Sequence, residues 1–271
     1  MAAIFGPLKW HGGKKLAIKD VVKHFPDDLD HMVSVFAGGC SIELYMAAQG
    51  VRVDAYDADA RLVNFFKQWE ADPARFVDAC KAKAIPDLLD TRKRRGWGYS
   101  REAYNEAYDR CHTEKPFDNA VNFWIINRCN MHGKMNGRGY TADAFTEILW
   151  DYMLAGPPKT FNITHQDWET TLRSHPDEFM FIDPPYVGKH GIEYGEDGWL
   201  SDDFNRMQLD MRDHLYHRGN WIMTNYNDND GVIYDIYKDF PVWHDADRQV
   251  GNFNWNGEGK RKSKEVIIFP R

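Results

Sequence analysis

The tetrad Asp183-Pro184-Pro185-Tyr186 stands directly behind an apolar run, Phe179 to Ile182. Two successive prolines cannot continue a central strand, so the chain must leave the sheet there in a fixed shape. A carboxylate and an aromatic ring are thereby set at the carboxyl end of a buried strand, where open α/β sheets carry their chemistry. The exocyclic amine of a nucleobase is a poor nucleophile because its lone pair is delocalised into the ring. Asp183 and the Pro184 carbonyl can accept its two N–H bonds and localise that pair, and Tyr186 can stack on a base taken out of its duplex. The alternative for these four residues is a proline-rich turn in which Asp183 caps a helix.

Two further clusters carry chemical potential. Phe36-Ala37-Gly38-Gly39-Cys40-Ser41 places glycines where a backbone can approach a ligand without Cβ obstruction. Asp57 closes the next apolar run, where a carboxylate can grip two ribose hydroxyls; together these favour an adenosine-containing cofactor. Each also reads as an ordinary tight turn and a solvated acid. Lys9-Trp10-His11-Gly12-Gly13-Lys14 joins a lysine to two glycines, suited to a carboxylate or phosphate, with Trp10 to cover an apolar part of the ligand. It is not a P-loop, since no Ser or Thr follows the lysine and no strand precedes it. A surface loop is the alternative.

The elements that must position these clusters are α/β at both ends of the chain. Met32 to Phe36 and Val51 to Tyr56 read as strands, separated by an amphipathic helix with Ile42, Leu44, Tyr45 and Ala48 inward. Asp59 N-caps a helix carrying Leu62, Phe65, Phe66 and Trp69. Strand signals return at Phe161 to Thr164, Phe179 to Ile182, Trp221 to Thr224 and Val266 to Phe269. Between them the pattern is helical, at Pro73 to Ala84, Ser100 to Cys111, Phe117 to Arg128 and Ala142 to Ala155. The predicted architecture is an α/β domain discontinuous in sequence, residues 1–71 and 159–271, with a mainly helical insert at 72–158.

Composition bounds the rest. Apolar residues make up 43% of the 271, enough for a real core, and 34 Lys plus Arg against 41 Asp plus Glu give a net charge of −7. An acidic chain is no indiscriminate coat for nucleic acid, but its positive charge is gathered into two runs, Arg92-Lys93-Arg94-Arg95 and Lys260-Arg261-Lys262 with Lys264. Cys40, Cys80, Cys111 and Cys129 are scattered without paired metal-ligand spacing, so free thiols are expected and no metal site. Lys9, Lys14 and Lys15 interrupt the N-terminal residues too early for a signal peptide, and no run approaches the ~20 apolar residues of a membrane helix. A soluble, cytoplasmic protein without membrane contact is the expectation.

Taken in order, Lys-Trp-x-Gly-Gly-Lys, Phe-Ala-Gly-Gly-Cys-Ser, a long insert and Asp-Pro-Pro-Tyr resemble the alpha-class DNA adenine-N6 methyltransferases, which include the bacterial and phage DNA adenine methylases. The resemblance covers the two ends of the chain, about two-thirds of it. It implies a Rossmann-like domain that uses S-adenosylmethionine (SAM), an inserted target-recognition domain, double-stranded DNA as partner and extrusion of the target adenine. On matching positions it assigns Trp10, Lys14, Phe36, Gly38 and Asp57 to SAM, sets Asp167 beside the cofactor adenine, and makes Asp183, Pro184 and Tyr186 the catalytic set.

Within the insert, Phe123 to Arg128 is similar to the helix that leads into the family's DNA-reading hairpin, which makes Arg128 a DNA contact. The family's aromatic-Asn-Gly is replaced here by Asn130-Met131-His132-Gly133-Lys134. Lys134, Asn136 and Arg138, with Arg94 and Arg95, are the remaining expected contacts, and the Gly188 to Trp199 stretch is expected to be a mobile loop beside the site. Three rival readings stand beside this one. They are a cytosine-N4 or RNA adenine methyltransferase of the same fold, a catalytically silent DNA-binding regulator, and a dinucleotide-dependent oxidoreductase. The last lacks the full glycine fingerprint and leaves Asp183 unexplained.

Overall fold

The computed structural model describes residues 6–10, 12–86, 88, 96–112, 115–130, 139–141, 145–186, 201–226, 232–244, 249–250, 261–262 and 265–271, with residues 201–204, 226, 243–244, 249–250, 261–262 and 265 described by backbone alone. Arg94, Arg95, Lys134, Asn136, Arg138 and the Gly188 to Trp199 stretch lie outside the described residues.

Nine strands run in chain order among the described residues: β1 (His31–Val35), β2 (Arg52–Asp57), β3 (Phe161–His165), β4 (Phe179–Ile182), β5 (Trp221–Tyr226), β6 (Val242–His244), β7 (Gln249–Val250), β8 (Arg261–Lys262) and β9 (Glu265–Ile268). Seven of them form one sheet in the order β3-β2-β1-β4-β5-β9-β6, and β7 pairs with β8 in a separate ribbon. The first five are parallel, and β9 is antiparallel to both β5 and β6. This is a Rossmann-like α/β sheet. Its order reverses between β1 and β4, so the crevice for ligands opens at the carboxyl ends of those two strands. The Phe36 loop leaves β1 there, and Asp183 leaves β4.

Alternation along the strands builds two cores. Met32, Phe181, Ile222 and Ile267 face one side of the sheet. Val33, Val35, Met180, Ile182, Met223, Val266 and Ile268 face the other. Both faces are covered, which is why these strands read as continuous apolar runs. The second face is closed by α8 (Trp168–Ser174), α9 (Ser201–Leu215) and α10 (Val232–Ile236), with Met207, Met211 and Leu215 of α9 inward at helical spacing.

The first face carries α1 (Ile18–Val22), α2 (Ser41–Ala48) and α3 (Ala60–Ala71), and then the helices of the central segment. Those are α4 (Pro73–Lys81), α5 (Arg101–Asp109), α6 (Pro116–Cys129) and α7 (Glu147–Ala155). As expected, Asp59 caps α3, accepting from the Arg61 and Leu62 amides. Asp72 ends α3 and caps α4 in the same residue, with Pro73 opening the new helix. Helix α6 is buried nearly all round, from Ala120 to Cys129 except Arg128. Its Phe123 and Trp124 pack on Phe65 of α3 at ring separations of 5.7 and 6.1 Å. The central segment thus shares one continuous core with α3 and the sheet.

The strands expected from the sequence are present within a residue or so, and α4 to α7 match the four helical stretches, α7 starting at Glu147 rather than Ala142. Strand β6 and helices α1, α8 and α10 carry too few residues for a periodic signal. Cys40, Cys80 and Cys129 are buried and Cys111 is half-buried, and none of the four is in a disulfide. No helix among the described residues is long and apolar enough to cross a membrane.

Candidate active site

Chain reversal after β1 demands unusual backbone. Phe36 and Cys40, neither a glycine, adopt φ of 65° and 53°, and Gly38 lies at 50°. Left-handed non-glycine residues cost of order 1 kcal/mol or more each and persist where the surroundings over-determine them. Here the surroundings include Trp10. A Cβ built on Gly38 would stand 2.6 Å from the Trp10 Nε1, and one on Gly39 would stand 2.7 Å from the Trp10 Cβ. The tryptophan of the N-terminal cluster therefore lies directly over the glycine turn, and no larger residue fits beneath it.

At the end of β2, Asp57 locks onto the same turn. Its Oδ2 accepts the Gly38 amide at 2.8 Å and its Oδ1 the Asp59 amide at 2.8 Å. Burial pushes its carboxyl up to about 6, while the two amide donors pull it back. Each oxygen keeps a further lone pair, the chemistry needed to take two vicinal hydroxyls. Asp167 follows β3 on the neighbouring strand end and caps α8, accepting the Thr170 amide at 2.9 Å and the Thr170 hydroxyl at 2.7 Å. Those two donors hold its carboxyl below the usual range, and it is exposed.

The β4 end gathers the densest polar cluster. Lys14, only 4% exposed, sets its ammonium between the two Asp183 oxygens at 2.6 and 2.7 Å, and donates to the Gly12 carbonyl at 3.0 Å. The same ammonium contacts the Tyr186 hydroxyl and lies 4.8 Å from the centre of that ring. The Tyr186 hydroxyl reaches Asp183 Oδ1 at 3.2 Å, and Thr224, wholly buried within β5, donates to the same oxygen at 2.7 Å. Pro184 is buried, Pro185 gives its carbonyl to Gln208 at 3.1 Å, and Tyr186 is 5% exposed. Two residues assigned to different tasks in the sequence, Lys14 and Asp183, are thus bonded to each other.

Trp10, Lys14, Phe36, Gly38 and Asp57 meet Asp183, Pro184 and Tyr186 along one end of the sheet, with Asp167 at its margin. The Arg128 guanidinium, at the end of α6, lies 5.3 Å from the Phe145 ring and 5.7 Å from that of Trp124, and its charge acts on Lys15, the neighbour of Lys14. Three contributors went unnoticed in the sequence. Thr224 was signalled only by a hydroxyl inside an apolar strand. Glu43 was hidden in an apolar helix; its buried carboxylate accepts the Ser34 hydroxyl at 2.6 Å. Asn127 exchanges two bonds with the Lys9 backbone, at 3.0 and 2.7 Å, while the Lys9 ammonium caps α6 through the Arg128 carbonyl at 2.7 Å.

The D12 class N6 adenine-specific DNA methyltransferase family matches residues 10–251, nearly the whole chain. This chain belongs to that family. Among curated relatives, the DNA adenine methylase of Vibrio cholerae serotype O1 is 24% identical over 190 residues, 66% of this chain and 64% of the relative. That of Escherichia coli K12 is 23% identical over the same shares. The type II methyltransferase M.FokI of Planomicrobium okeanokoites is 25% identical over 239 residues, 80% of this chain and 34% of the relative. The chain therefore spans about two-thirds or less of these relatives' lengths. A SAM-dependent methyltransferase from Agrobacterium tumefaciens aligns over 95% of this chain and 61% of its own, at 12% identity and a TM-score of 0.36.

Proposed function

We propose that this D12-class member is a site-specific DNA adenine-N6 methyltransferase that uses SAM and acts on an adenine drawn out of double-stranded DNA. The observation that carries the reading is the Asp183 carboxylate, held by Lys14, Thr224 and Tyr186 at the switch point of the sheet beside the glycine turn. The residues fit the cofactor: Asp57 offers free lone pairs for ribose hydroxyls, and Gly38 gives a backbone free of Cβ under Trp10. Phe36 and Trp10 supply apolar cover, and Asp167 lies at the adenine end. When bound, SAM supplies a methyl group on a positively charged sulfur, open to attack by a neutral nitrogen.

Each residue's part follows from its bonds. Lys14 keeps Asp183 ionised, so that the carboxylate accepts rather than donates. Thr224 occupies Asp183 Oδ1 and fixes the rotamer. Asp183 Oδ2 and the Pro184 carbonyl accept the two N–H bonds of the adenine amine, which turns the nitrogen lone pair toward the methyl group. As the C–N bond formed and the methyl–sulfur bond broke, leaving a neutral thioether, the nitrogen would become cationic; both acceptors would stabilise that charge, and the Asp183 carboxylate would take the proton it sheds. In this structure Tyr186 is bonded to Lys14 and Asp183, and it stacks on the base once those bonds give way. Residues 72–158 are the target-recognition unit in this reading, and Arg128, Arg94, Arg95, Lys134 and Arg138 are its expected DNA contacts. Support for this comes from Lys9 and Asn127, which tie the end of α6 to the N-terminal cluster, and from the antiparallel bridge that Asn130, next after α6, makes with Tyr140.

The test is incubation with labelled SAM and, in parallel, unmodified duplex DNA and RNA, followed by digestion and identification of the modified nucleoside. N6-methyladenine in one sequence context is the expected product. N4-methylcytosine, label in RNA alone, or DNA binding without transfer would each overturn the reading in favour of the corresponding rival.

A further inference from the structure

Helix α2 starts immediately after the glycine turn, and its buried residues are apolar except for Ser41 and Glu43. Glu43 is 2% exposed, in the first turn of α2 between buried Ile42 and Leu44. Helical side chains lean toward the N-terminus, which here aims Glu43 back under the turn. It accepts the Ser34 hydroxyl of β1 at 2.6 Å. The charged groups acting on it from neighbouring elements are Asp183 at the end of β4 and Lys14 on the N-terminal 3₁₀ turn, and the Cys40 thiol at the helix N-cap also feels its charge. Lys14 is already shared with both oxygens of Asp183, so Glu43 has no cation of its own among these.

A carboxylate buried in such a place is costly unless a cation comes near it. The reaction itself provides one. The methyl donor carries a sulfonium cation, and the demethylated product at the same site is a neutral thioether. We propose that Glu43 is a specificity-determining residue that favours the cationic methyl donor over its neutral product, by ionising beneath the glycine turn when the sulfonium is present. The proposal rests on the reading that SAM lies along the Gly38 turn. Burial holds the Glu43 carboxyl at about 7, so its charge is available for such a response near neutral pH. A unit charge arriving within ~8 Å at an effective dielectric of ~20 shifts a carboxyl by more than one pH unit. Donor binding would release a proton from Glu43, and loss of the sulfonium charge on methyl transfer would let it return.

Affinities for SAM and for S-adenosylhomocysteine are measured on the full chain by calorimetry from pH 6 to 8.5. The ratio of the two affinities is read, because ribose contacts at Asp57 and the cofactor's own amine are common to both ligands and cancel. In the wild type the ratio should rise by about tenfold toward SAM across this range. Glu43→Gln should hold it flat, and Ser34→Ala, which removes the hydroxyl that favours the ionised carboxylate, should move the midpoint to higher pH. A flat wild-type ratio with both ligands bound, or a rise that survives Glu43→Gln, overturns the proposal alone. An unmoved midpoint in Ser34→Ala overturns it too, whatever the folding of the glutamine variant. Failure of both ligands to bind at any pH overturns it together with the cofactor reading.

Discussion

Lys14 decides between two accounts of the site, and a double-mutant cycle with Asp183 separates them. By resemblance Lys14 serves the cofactor; in the structure its ammonium sits between both Asp183 oxygens. Replacing Lys14 with Met removes one partner of a largely buried pair, the lysine 4% and the aspartate 19% exposed. At ~3 Å and an effective dielectric of ~20 the gross attraction is about 5 kcal/mol. Desolvation of the ammonium and the bonds that Asp183 keeps with Thr224 and Tyr186 reduce the net loss to roughly 2 kcal/mol, about thirtyfold in kcat. Asp183→Asn removes the charged acceptor itself, ~3 kcal/mol or about a hundredfold. If Lys14 works through Asp183, the double variant should be no slower than Asp183→Asn alone, a coupling of about 2 kcal/mol. The assay is steady-state methylation of duplex DNA, with kcat and the SAM KM taken separately. A Lys14→Met enzyme with unchanged kcat and a raised SAM KM, additive with Asp183→Asn, would refute this reasoning and make the lysine a cofactor anchor.

Three other outcomes are expected. Gly38→Ala puts a methyl group 2.6 Å from the Trp10 indole at a φ of 50°, so SAM affinity should fall at least tenfold with a lowered Tm; a wild-type titration would show that Trp10 moves freely. Asp57→Ala should weaken SAM binding by roughly 1.5–3 kcal/mol, and because the wild-type carboxyl is pushed up to about 6, wild-type affinity for S-adenosylhomocysteine, whose neutral sulfur does not draw on Glu43, should decline as pH falls through 6 while the variant shows no such decline. Calorimetry at pH 5.5 and 7.5 reads both. Glu43, with its carboxyl raised to about 7, binds a proton in the folded state that the unfolded chain releases near 4.5. Its contribution to stability is therefore present below about pH 4.5 and lost as pH rises through 7, by about 3 kcal/mol at most. Urea unfolding should show Glu43→Gln gaining on the wild type between pH 5 and 7.5, and parallel curves would count against the raised carboxyl.

The positions of most strands of the sheet, of helices α2 to α7 and of the residues at the strand ends were legible in the chain because each depends on a short window. The apolar runs of β1, β4 and β5 fix buried strands, Pro184 and Pro185 stop β4, the glycines turn the chain after β1, and Asp59 caps α3 through its own neighbours. Partnership was not legible, because it joins residues far apart in the chain. Lys14 and Asp183 are 169 positions apart, Thr224 and Asp183 are 41, and Lys9 and Asn127 are 118. No local pattern foretells that a lysine set among glycines will spend its charge on the aspartate after β4, or that Glu43, amid apolar neighbours, will turn inward to Ser34. Burial decided those pairings: once the sheet closes and water is excluded, each charge must find the nearest complementary group, and only the packed chain determines which group that is.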